Sequence, residues 1–315
     1  MTVRERVVGR AVLAAFQAGT AIASNVPPSW GLRGAAAVGR AAARLTPDRR
    51  VIVERNLTRA LGPLPAPELR RLTDATFESY ARYYFDSFRL TSLSRDAVEA
   101  GISVTGWEHV EEALAHDPVA PVLALPHLGG WEWAAFWVTM VKGHRLAAVA
   151  EELSPPELFE WFLSFRRAIG LNIIPLGPDA ANQVVESLAS GEIVCLLCDR
   201  DLHGGGVPVT FLGEDTTLPA GPAVMALKGG ARVLPTAVYF DGDRLRGVVR
   251  PPVTIERTPG ATSIRPDVPR FMQALAHELE ALIREAPEQW HLMQPNWPSD
   301  YAALGLEPPS GSQPA

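Results

Sequence analysis

The sequence contains almost no lysine, only two cysteines and no long apolar run near its N-terminus. Lys142 and Lys228 are the only lysines among 29 basic residues, so arginine carries nearly all of the positive charge. The apolar segment from Ala11 to Ala23 is thirteen residues long, whereas a helix that spans a bilayer needs about 20. The sequence therefore predicts no transmembrane span there, and nothing in it demands an oxidising compartment.

Familiar catalytic motifs are also missing. The sequence has no Gly-x-Ser-x-Gly, which removes the usual support for a serine acyl-enzyme. It has no His-Glu-x-x-His, and its histidines are scattered, so it predicts no metal site and no cofactor. Cys195 and Cys198 invite a redox or metal interpretation. However, in a strand, residues three apart face opposite sides, so we expect two buried core thiols instead.

Charge is distributed unevenly along the chain. The first 60 residues hold ten arginines and three acidic residues, a balance of +7. Because the formal net charge of the whole chain is −6, the remaining residues together carry −13. A basic, apolar segment on an acidic body predicts contact with an anionic surface. This segment is rich in Ala, Val and Leu without a polar binding motif. We therefore expect a lipid surface and no nucleic acid.

Residues 1–45 are predicted to form amphipathic helices that associate with a membrane and pack on the body of the protein. The first candidate covers residues 3–24 and the second runs from Trp30 to Leu45, each with arginines along it. Two ordinary helices packed on the body are the alternative, and both interpretations are compatible. A cleaved signal peptide ending near Ser24 is a further alternative for the first segment.

From about residue 100, predicted strands alternate with predicted helices. This alternation indicates a single α/β domain over residues 46–304, with a mostly parallel central sheet covered by helices on both faces. A Pro/Gly/Ser-rich tail, residues 305–315, is predicted to be disordered. The predicted strands are Ile102–Thr105, Ala120–Leu125, Arg145–Ala150, Asn172–Leu176, Ile193–Asp199, Val207–Leu212, Arg232–Phe240 and Arg244–Val253.

The segment Leu123-Ala-Leu-Pro-His-Leu-Gly-Gly-Trp-Glu132 is the first candidate site, because it reads as a strand, a tight turn and a helix start. His127 can take a proton from a hydroxyl, and Glu132 is a candidate for orienting its ring. The backbone N–H groups of Gly129 and Gly130 are candidates for holding a phosphate or a developing oxyanion. The alternative is a helix-capping turn with a locally satisfied histidine.

Two further segments carry candidate residues. Asp199-Arg-Asp201 follows an apolar strand, so Asp199 is a second candidate for orienting His127 and Arg200 a candidate for binding a phosphate. A surface turn is the alternative. Arg166 ends a helix, where it either contacts a phosphate or offsets the helix dipole. The aromatic cluster from Phe77 to Phe88 is interpreted as core. Trp290–Trp297 either walls an apolar ligand channel or closes the core.

On these motifs the chain resembles the bacterial lipid acyltransferases that include the late acyltransferases of lipid A assembly. Within that family it is most similar to the actinobacterial phosphatidylinositol mannoside acyltransferases. The segments that carry the resemblance are His127-x4-Glu132, Arg55-Asn-Leu57, Arg166 with Gly170, Val149-Ala-Glu151, Asp199-Arg-Asp-Leu202, Phe211-Leu-Gly213, Pro219-Ala-Gly-Pro-Ala223 and Trp290-His-Leu-Met-Gln-Pro295. Family members often carry Asp where Glu132 stands and Glu where Asp199 stands.

The resemblance implies a glycerolipid-acyltransferase-like fold and a peripheral protein on the cytoplasmic side of the cell membrane. It implies transfer of a fatty acyl group, expected to be palmitoyl, from acyl-CoA as co-substrate to a mannose hydroxyl of phosphatidylinositol mannoside. His127 would be the general base, with Arg166 and Arg200 binding CoA or lipid phosphates. The alternatives are acylation of another glycolipid or a lysophospholipid, an acyl-CoA hydrolase, and a lipid-binding protein without catalysis.

Overall fold

A seven-stranded sheet forms the centre of the molecule in the computed structural model, which describes residues 14, 17–151, 156–201 and 204–309. The strand order is β1-β9-β8-β2-β5-β3-β4, and a separate two-stranded sheet pairs β6 with β7. The strands are β1 Ile102–Thr105, β2 Val122–Leu125, β3 Leu146–Ala150, β4 Leu171–Pro175, β5 Ile193–Leu197, β6 Val207–Phe211, β7 Glu214–Leu218, β8 Val233–Asp241 and β9 Arg244–Val249.

All neighbours in the central sheet are parallel except β8 and β9, which pair antiparallel. Every residue of β2 is buried, as are the first eight residues of β8. Strands buried on both faces read as continuous apolar runs, which is why the sequence pattern located them. The prediction of a mostly parallel, doubly covered sheet is confirmed.

Helices cover both faces of this sheet, and each face has its own buried apolar cluster. Helix α10 packs on one face through its buried apolar stripe, and helix α6 packs on the other. The helices are α1 Pro28–Leu45, α2 Pro47–Leu61, α3 Ala66–Arg89, α4 Arg95–Ala100, α5 Trp107–His116, α6 Trp131–Met140, α7 Pro156–Ala168, α8 Ala180–Ala189, α9 Gly221–Leu227, α10 Asp267–Glu285 and α11 Pro298–Leu304.

The β6–β7 hairpin stands apart from the central sheet. Only its first strand was predicted from the sequence. Its two turn residues, Leu212 and Gly213, have φ angles of +53° and +81°. Positive φ at both central residues is the geometry of a type I′ turn, whose twist matches that of paired strands. The second strand was missed because its sequence, Glu-Asp-Thr-Thr-Leu, is mostly polar.

Helix α1 packs against α3 over most of its length. Gly39 permits this close approach, since a Cβ there would lie 2.5 Å from the Phe77 carbonyl oxygen. The opposite face leaves Trp30, Val38 and Leu45 between 65% and 79% exposed. The second predicted N-terminal helix therefore exists and packs on the body, while its contact with a membrane stays a prediction.

Residues 17–25 are helical, but most of the preceding part of the first predicted amphipathic helix lies outside the described residues. The prediction of a disordered tail falls largely on residues 310–315, which also lie outside them. Within the part of the chain that the structure describes, no helix combines the length and apolar content that crossing a membrane requires.

Candidate active site

Strand register brings two of the predicted site residues together. β2 and β5 are parallel neighbours with Leu125 opposite Leu197, so both strands end at the same edge of the sheet. His127 stands two residues beyond the end of β2 and Asp199 two residues beyond the end of β5. In open α/β sheets this edge, at the carboxyl ends of the strands, is where ligands bind.

His127 and Asp199 form a hydrogen-bonded pair. Their contact joins His127 Nδ1 and Asp199 Oδ1 at 2.6 Å, and the backbone N–H of His127 donates to Asp199 Oδ2 at 2.9 Å. An ionised carboxylate only accepts hydrogen bonds, so Nδ1 carries the proton and Nε2 of the neutral ring is left as the basic nitrogen. The His127 side chain is 37% exposed and lines a cavity, whereas Asp199 is fully buried.

Asp199 is held as a carboxylate by its surroundings. Burial alone raises the pKa of the Asp199 carboxyl. However, the charge of His127 and the hydrogen bonds from His127 and Trp290 outweigh burial, so this pKa lies below its ordinary value. A carboxylate that stays ionised beside Nδ1 fixes the tautomer and stabilises the imidazolium that forms when Nε2 takes a proton.

Glu132 does not orient His127, and this alternative of the sequence analysis is wrong. Its buried carboxylate accepts hydrogen bonds from Nε and Nη2 of Arg166 at 3.0 and 2.8 Å. It also accepts one from the Tyr83 hydroxyl, and burial with this carboxylate raises the pKa of Tyr83 well above its ordinary value. The second position of helix α6 directs Glu132 toward α7 and α3, away from the strand ends.

Arg166 is therefore the partner of a buried carboxylate, although its side chain also lines the cavity. Its predicted phosphate contact stays a prediction. Arg200 lines the same cavity and donates a hydrogen bond from Nη1 to the Gln294 side chain. Burial lowers the pKa of Arg200, against the opposing charges of Glu151 and Asp201. The position of Arg200 is thus compatible with its predicted role in binding a phosphate.

The backbone N–H groups of Gly129 and Gly130 are occupied, which corrects their predicted role in binding an oxyanion or phosphate. They donate to the carbonyls of Gln289 at 3.0 Å and Val238 at 3.3 Å. Gly129 has a φ angle of +58°, and a Cβ there would lie 1.8 Å from the Val238 oxygen. These glycines therefore allow the His127 turn to approach β8 and the C-terminal segment closely.

The C-terminal segment from Gln289 to Asn296, here called the strap, supports the His127–Asp199 pair from the other side. Trp290 Nε1–H donates to Asp199 Oδ2 at 2.7 Å, and Asn296 Nδ2 donates to the Asp199 carbonyl at 3.2 Å. The His291 N–H donates to the His127 carbonyl at 2.7 Å. No local pattern in the sequence connects Trp290 or Asn296 with Asp199, so these two contacts were not predicted.

The segment Trp290–Trp297 closes the core at its two ends and reaches the cavity between them. The two tryptophans are buried in the core, while the residues from His291 to Gln294 line the cavity. Helix α2 holds the strap through Asn56, whose Nδ2 donates to the Leu292 carbonyl at 2.7 Å. Beyond the strap, Arg55 and Arg59 of α2 pair with the buried Asp300 of α11.

The cavity has a volume of about 600 Å³. One part is apolar, and the part around His127 is polar and aromatic. Three tyrosines that were interpreted as core, Tyr80, Tyr83 and Tyr84, line this polar part, which corrects that interpretation. Their hydroxyl groups were the available signal, since a tyrosine needs a polar partner or solvent that phenylalanine does not. The apolar part is lined by residues that belong to or pack against one of the two apolar clusters of the sheet: Val149, Ala180, Val184, Leu196 and Met225.

A second histidine, His291, lies in the cavity wall, and its Nε2 is 2.9 Å from Ser79 Oγ. Burial and the charge of His127 lower the pKa of His291 to about 3. His291 is therefore neutral near pH 7 and a weak base. In the described part of the chain no carboxylate contacts its ring, so this serine–histidine pair lacks the third member that activates a nucleophile.

The remaining candidates for covalent or metal chemistry receive no support. Cys195 and Cys198 are both free and buried, and they belong to the apolar clusters on opposite faces of the sheet. Burial raises the pKa of the Cys195 thiol to about 12. The prediction of two core thiols is confirmed. Among the described residues, no group of three or more His, Cys, Asp or Glu side chains is arranged to hold a metal ion.

Comparison with known proteins adds to this geometry. A family model described as bacterial lipid A biosynthesis acyltransferase matches residues 5–299. The chain is 36% identical over 253 residues to the phosphatidylinositol mannoside acyltransferase of Mycobacterium tuberculosis, covering 79% of this chain and 77% of that protein. It is also 36% identical over 251 residues to the protein of the same name from Mycolicibacterium smegmatis, covering 79% of each.

Proposed function

Because the chain belongs to the bacterial lipid A biosynthesis acyltransferase family and is an acyltransferase that acts on a lipid, we propose that it acylates phosphatidylinositol mannoside. The acyl donor is acyl-CoA, with palmitoyl as the expected chain, and the acceptor is a mannose hydroxyl. The name shared by the mycobacterial relatives supports this acceptor. The observation that carries the proposal is the His127–Asp199 pair at the wall of a partly apolar cavity.

His127 acts as the general base in this proposal. Its Nε2 takes the proton of the mannose hydroxyl while the hydroxyl oxygen attacks the thioester carbonyl. The tetrahedral intermediate then collapses, the C–S bond breaks, and the imidazolium returns its proton to the departing CoA thiolate. Asp199 stays ionised and stabilises the imidazolium. General base catalysis of this kind contributes about 10²–10⁴ in rate.

Attack is direct, without an acyl-enzyme. Both cysteines are buried, and burial raises the pKa of Cys195 to about 12, so thiolate is scarce near pH 7. Ser79 faces a histidine that is a weak base for the reasons given above. Neither the cysteines nor Ser79 therefore offers an activated nucleophile, which favours activation of the acceptor hydroxyl by His127.

The cavity accommodates the two ends of the donor differently. The acyl chain lies in the apolar part, and Arg200 meets the CoA phosphates at the polar part. Arg49 also lines the cavity, and its exposed guanidinium makes no ion pair within the described residues. An exposed arginine without a carboxylate partner is available to a phosphate. Arg49 thus joins Arg200 as a phosphate-binding residue.

The lipid acceptor requires access to a membrane, and α1 supplies a suitable surface. Trp30, Val38 and Leu45 are exposed on it, and Arg33 is exposed beside them. In this proposal the protein is peripheral, on the cytoplasmic side of the cell membrane, and these exposed apolar and basic residues support its contact with lipid. Binding to anionic vesicles should weaken as salt is added. Equal binding to neutral and anionic vesicles at low salt would contradict the contribution of charge.

The acceptor is tested with radiolabelled palmitoyl-CoA and three separate conditions: phosphatidylinositol mannoside, a lysophospholipid, or no lipid. The expected result is label on the mannolipid only. Label on the lysophospholipid instead would assign a different acceptor. Free fatty acid released equally in all three conditions would identify a hydrolase and overturn the proposal.

A further inference from the structure

Trp290 lies behind the catalytic pair, in the core and out of reach of a substrate. It is 3% exposed, and Leu128, next to His127, pairs with it in an antiparallel bridge. Its ring meets those of Phe211 and Trp297 edge-on, at centroid distances of 6.2 and 6.3 Å. These contacts hold the indole in one orientation, in which its Nε1–H points at Asp199.

The Asp199 carboxylate divides its hydrogen bonds between its two oxygens. Oδ1 faces the His127 ring, while Oδ2 accepts from the His127 backbone N–H and from Trp290 Nε1–H. An indole N–H only donates, so it matches a carboxylate oxygen and never competes for the histidine proton. Without this donor, a single backbone N–H would be left to hold Oδ2.

We propose that Trp290 is a positioning residue for the acyl transfer reaction: its indole N–H anchors Asp199 Oδ2 so that Oδ1 stays aligned with Nδ1–H of His127. This inference deepens the proposed function and rests on His127 being the base. A hydrogen bond to a charged group is typically strong enough to change a rate by about 10–100-fold when it is lost.

Loss of the indole donor has a directional consequence. The hydrogen bond stabilises the Asp199 carboxylate most when the neighbouring ring is neutral, because the imidazolium otherwise compensates its charge. Without it, the neutral-ring state is destabilised more than the charged-ring state. The pair then loses its proton at higher pH. The acid side of the pH profile of kcat should therefore move upward, by about half a unit to one unit.

Three ionisable groups beside the pair keep their charge state near neutral pH. Arg200 stays cationic, the Cys198 thiol has a pKa raised by burial, and burial lowers the pKa of His291 to about 3. These three groups therefore do not account for a shift of the acid limb, which the coupled His127–Asp199 pair does.

The test compares Trp290→Phe with Trp297→Phe, which is its matched control. Trp297 is also fully buried, but its indole N–H donates to the backbone carbonyls of Phe211 and Glu214, both at 3.3 Å. We expect Trp290→Phe to lower kcat about tenfold, to change KM for acyl-CoA less than about twofold, and to shift the acid limb upward. Trp297→Phe should leave the acid limb in place.

A measurement on the unaltered protein covers the case in which Trp290→Phe does not fold. In ¹H–¹⁵N spectra, the indole resonance of Trp290 should move with the same midpoint as the acid limb of kcat, and that of Trp297 should not. An indole resonance of Trp290 that ignores this titration would overturn the inference, as would an unshifted acid limb in folded Trp290→Phe. Activity that survives in His127→Ala would instead overturn the proposed function.

Discussion

Two buried carboxylates lie near the cavity, and they have different partners. Asp199 contacts a histidine ring at 2.6 Å, whereas Glu132 contacts a guanidinium at 2.8 Å. Only Asp199 can stabilise a charge that appears during a reaction, because the arginine that faces Glu132 is charged throughout. Closeness along the chain is therefore a poor guide here: Glu132 is five residues from His127, and Asp199 is 72.

The largest difference between the two carboxylates should appear in kcat. Asp199→Asn removes the charge that stabilises the imidazolium, so kcat should fall by about 10²–10⁴. Glu132→Gln leaves the His127–Asp199 contact in place, so kcat of the folded protein should fall by less than about tenfold. Steady-state transfer assays on both variants measure this. An equal loss of kcat in both would contradict the division of roles.

The main effect of Glu132→Gln should instead appear in stability. Glu132→Gln leaves Arg166, whose side chain is only 15% exposed, as a buried charge without its carboxylate. Breaking a buried ion pair in this way costs about 3–5 kcal/mol. Urea unfolding measures the change in the free energy of unfolding. Glu186→Gln, on the exposed face of α8, is the control and should change it by less than about 0.5 kcal/mol.

The stability of the protein should also depend on pH through His291, the second histidine of the cavity. The pKa of His291 is lowered to about 3, against an ordinary value of about 6.5 in the unfolded chain. Between these values the unfolded chain binds a proton that the folded protein does not, so stability falls as pH falls below about 6.5. From pH 7.5 to pH 5 this residue should remove about 2 kcal/mol.

The contribution of His291 is measured by urea unfolding of His291→Gln beside the unaltered protein. The variant keeps a side chain able to bond Ser79 but has no titrating ring. Its free energy of unfolding should therefore depend less steeply on pH in this range. Identical slopes for the two proteins would show that His291 does not titrate as its burial requires.

The smallest expected effect concerns donor binding at neighbouring arginines. Arg49 lines the cavity without an ion pair in the described residues, while Arg50 pairs with Glu54 and Asp74 at 3.0 Å each. Arg49→Gln should raise KM for acyl-CoA about three- to tenfold with little change in kcat. Arg50→Gln is the matched control and should leave KM for acyl-CoA unchanged. An equal KM for Arg49→Gln and the unaltered protein would remove Arg49 from the donor site.

The fold and the His127–Asp199 pair were predictable because they follow from buried strands. Apolar runs located β2 and β5, and residues of the right chemistry follow each of them, so parallel register was enough to bring His127 and Asp199 together. Glu132 was assigned wrongly because the direction of a side chain at a helix start depends on what packs there. In this chain Arg166 and Tyr83 pack there.

The rest of the site depends on contacts across long distances in the chain. From the sequence, the N–H groups of Gly129 and Gly130 look available. In the fold they donate to carbonyls of the strap and of β8. The Trp290 donor lies 91 residues from Asp199. No local periodicity encodes either contact. Similarly, the polar strand β7 forms because the Leu212–Gly213 turn pairs it with β6, which its own composition does not predict.

In the proposed mechanism, His127 activates the acceptor hydroxyl. Transfer of palmitoyl from labelled palmitoyl-CoA to phosphatidylinositol mannoside by His127→Ala tests it most directly, with His116→Ala, an exposed histidine at the end of α5, as the control. We predict that His127→Ala loses at least about 10² in rate while His116→Ala retains full activity. A folded His127→Ala protein that transfers label at a rate near that of the unaltered enzyme would contradict the mechanism.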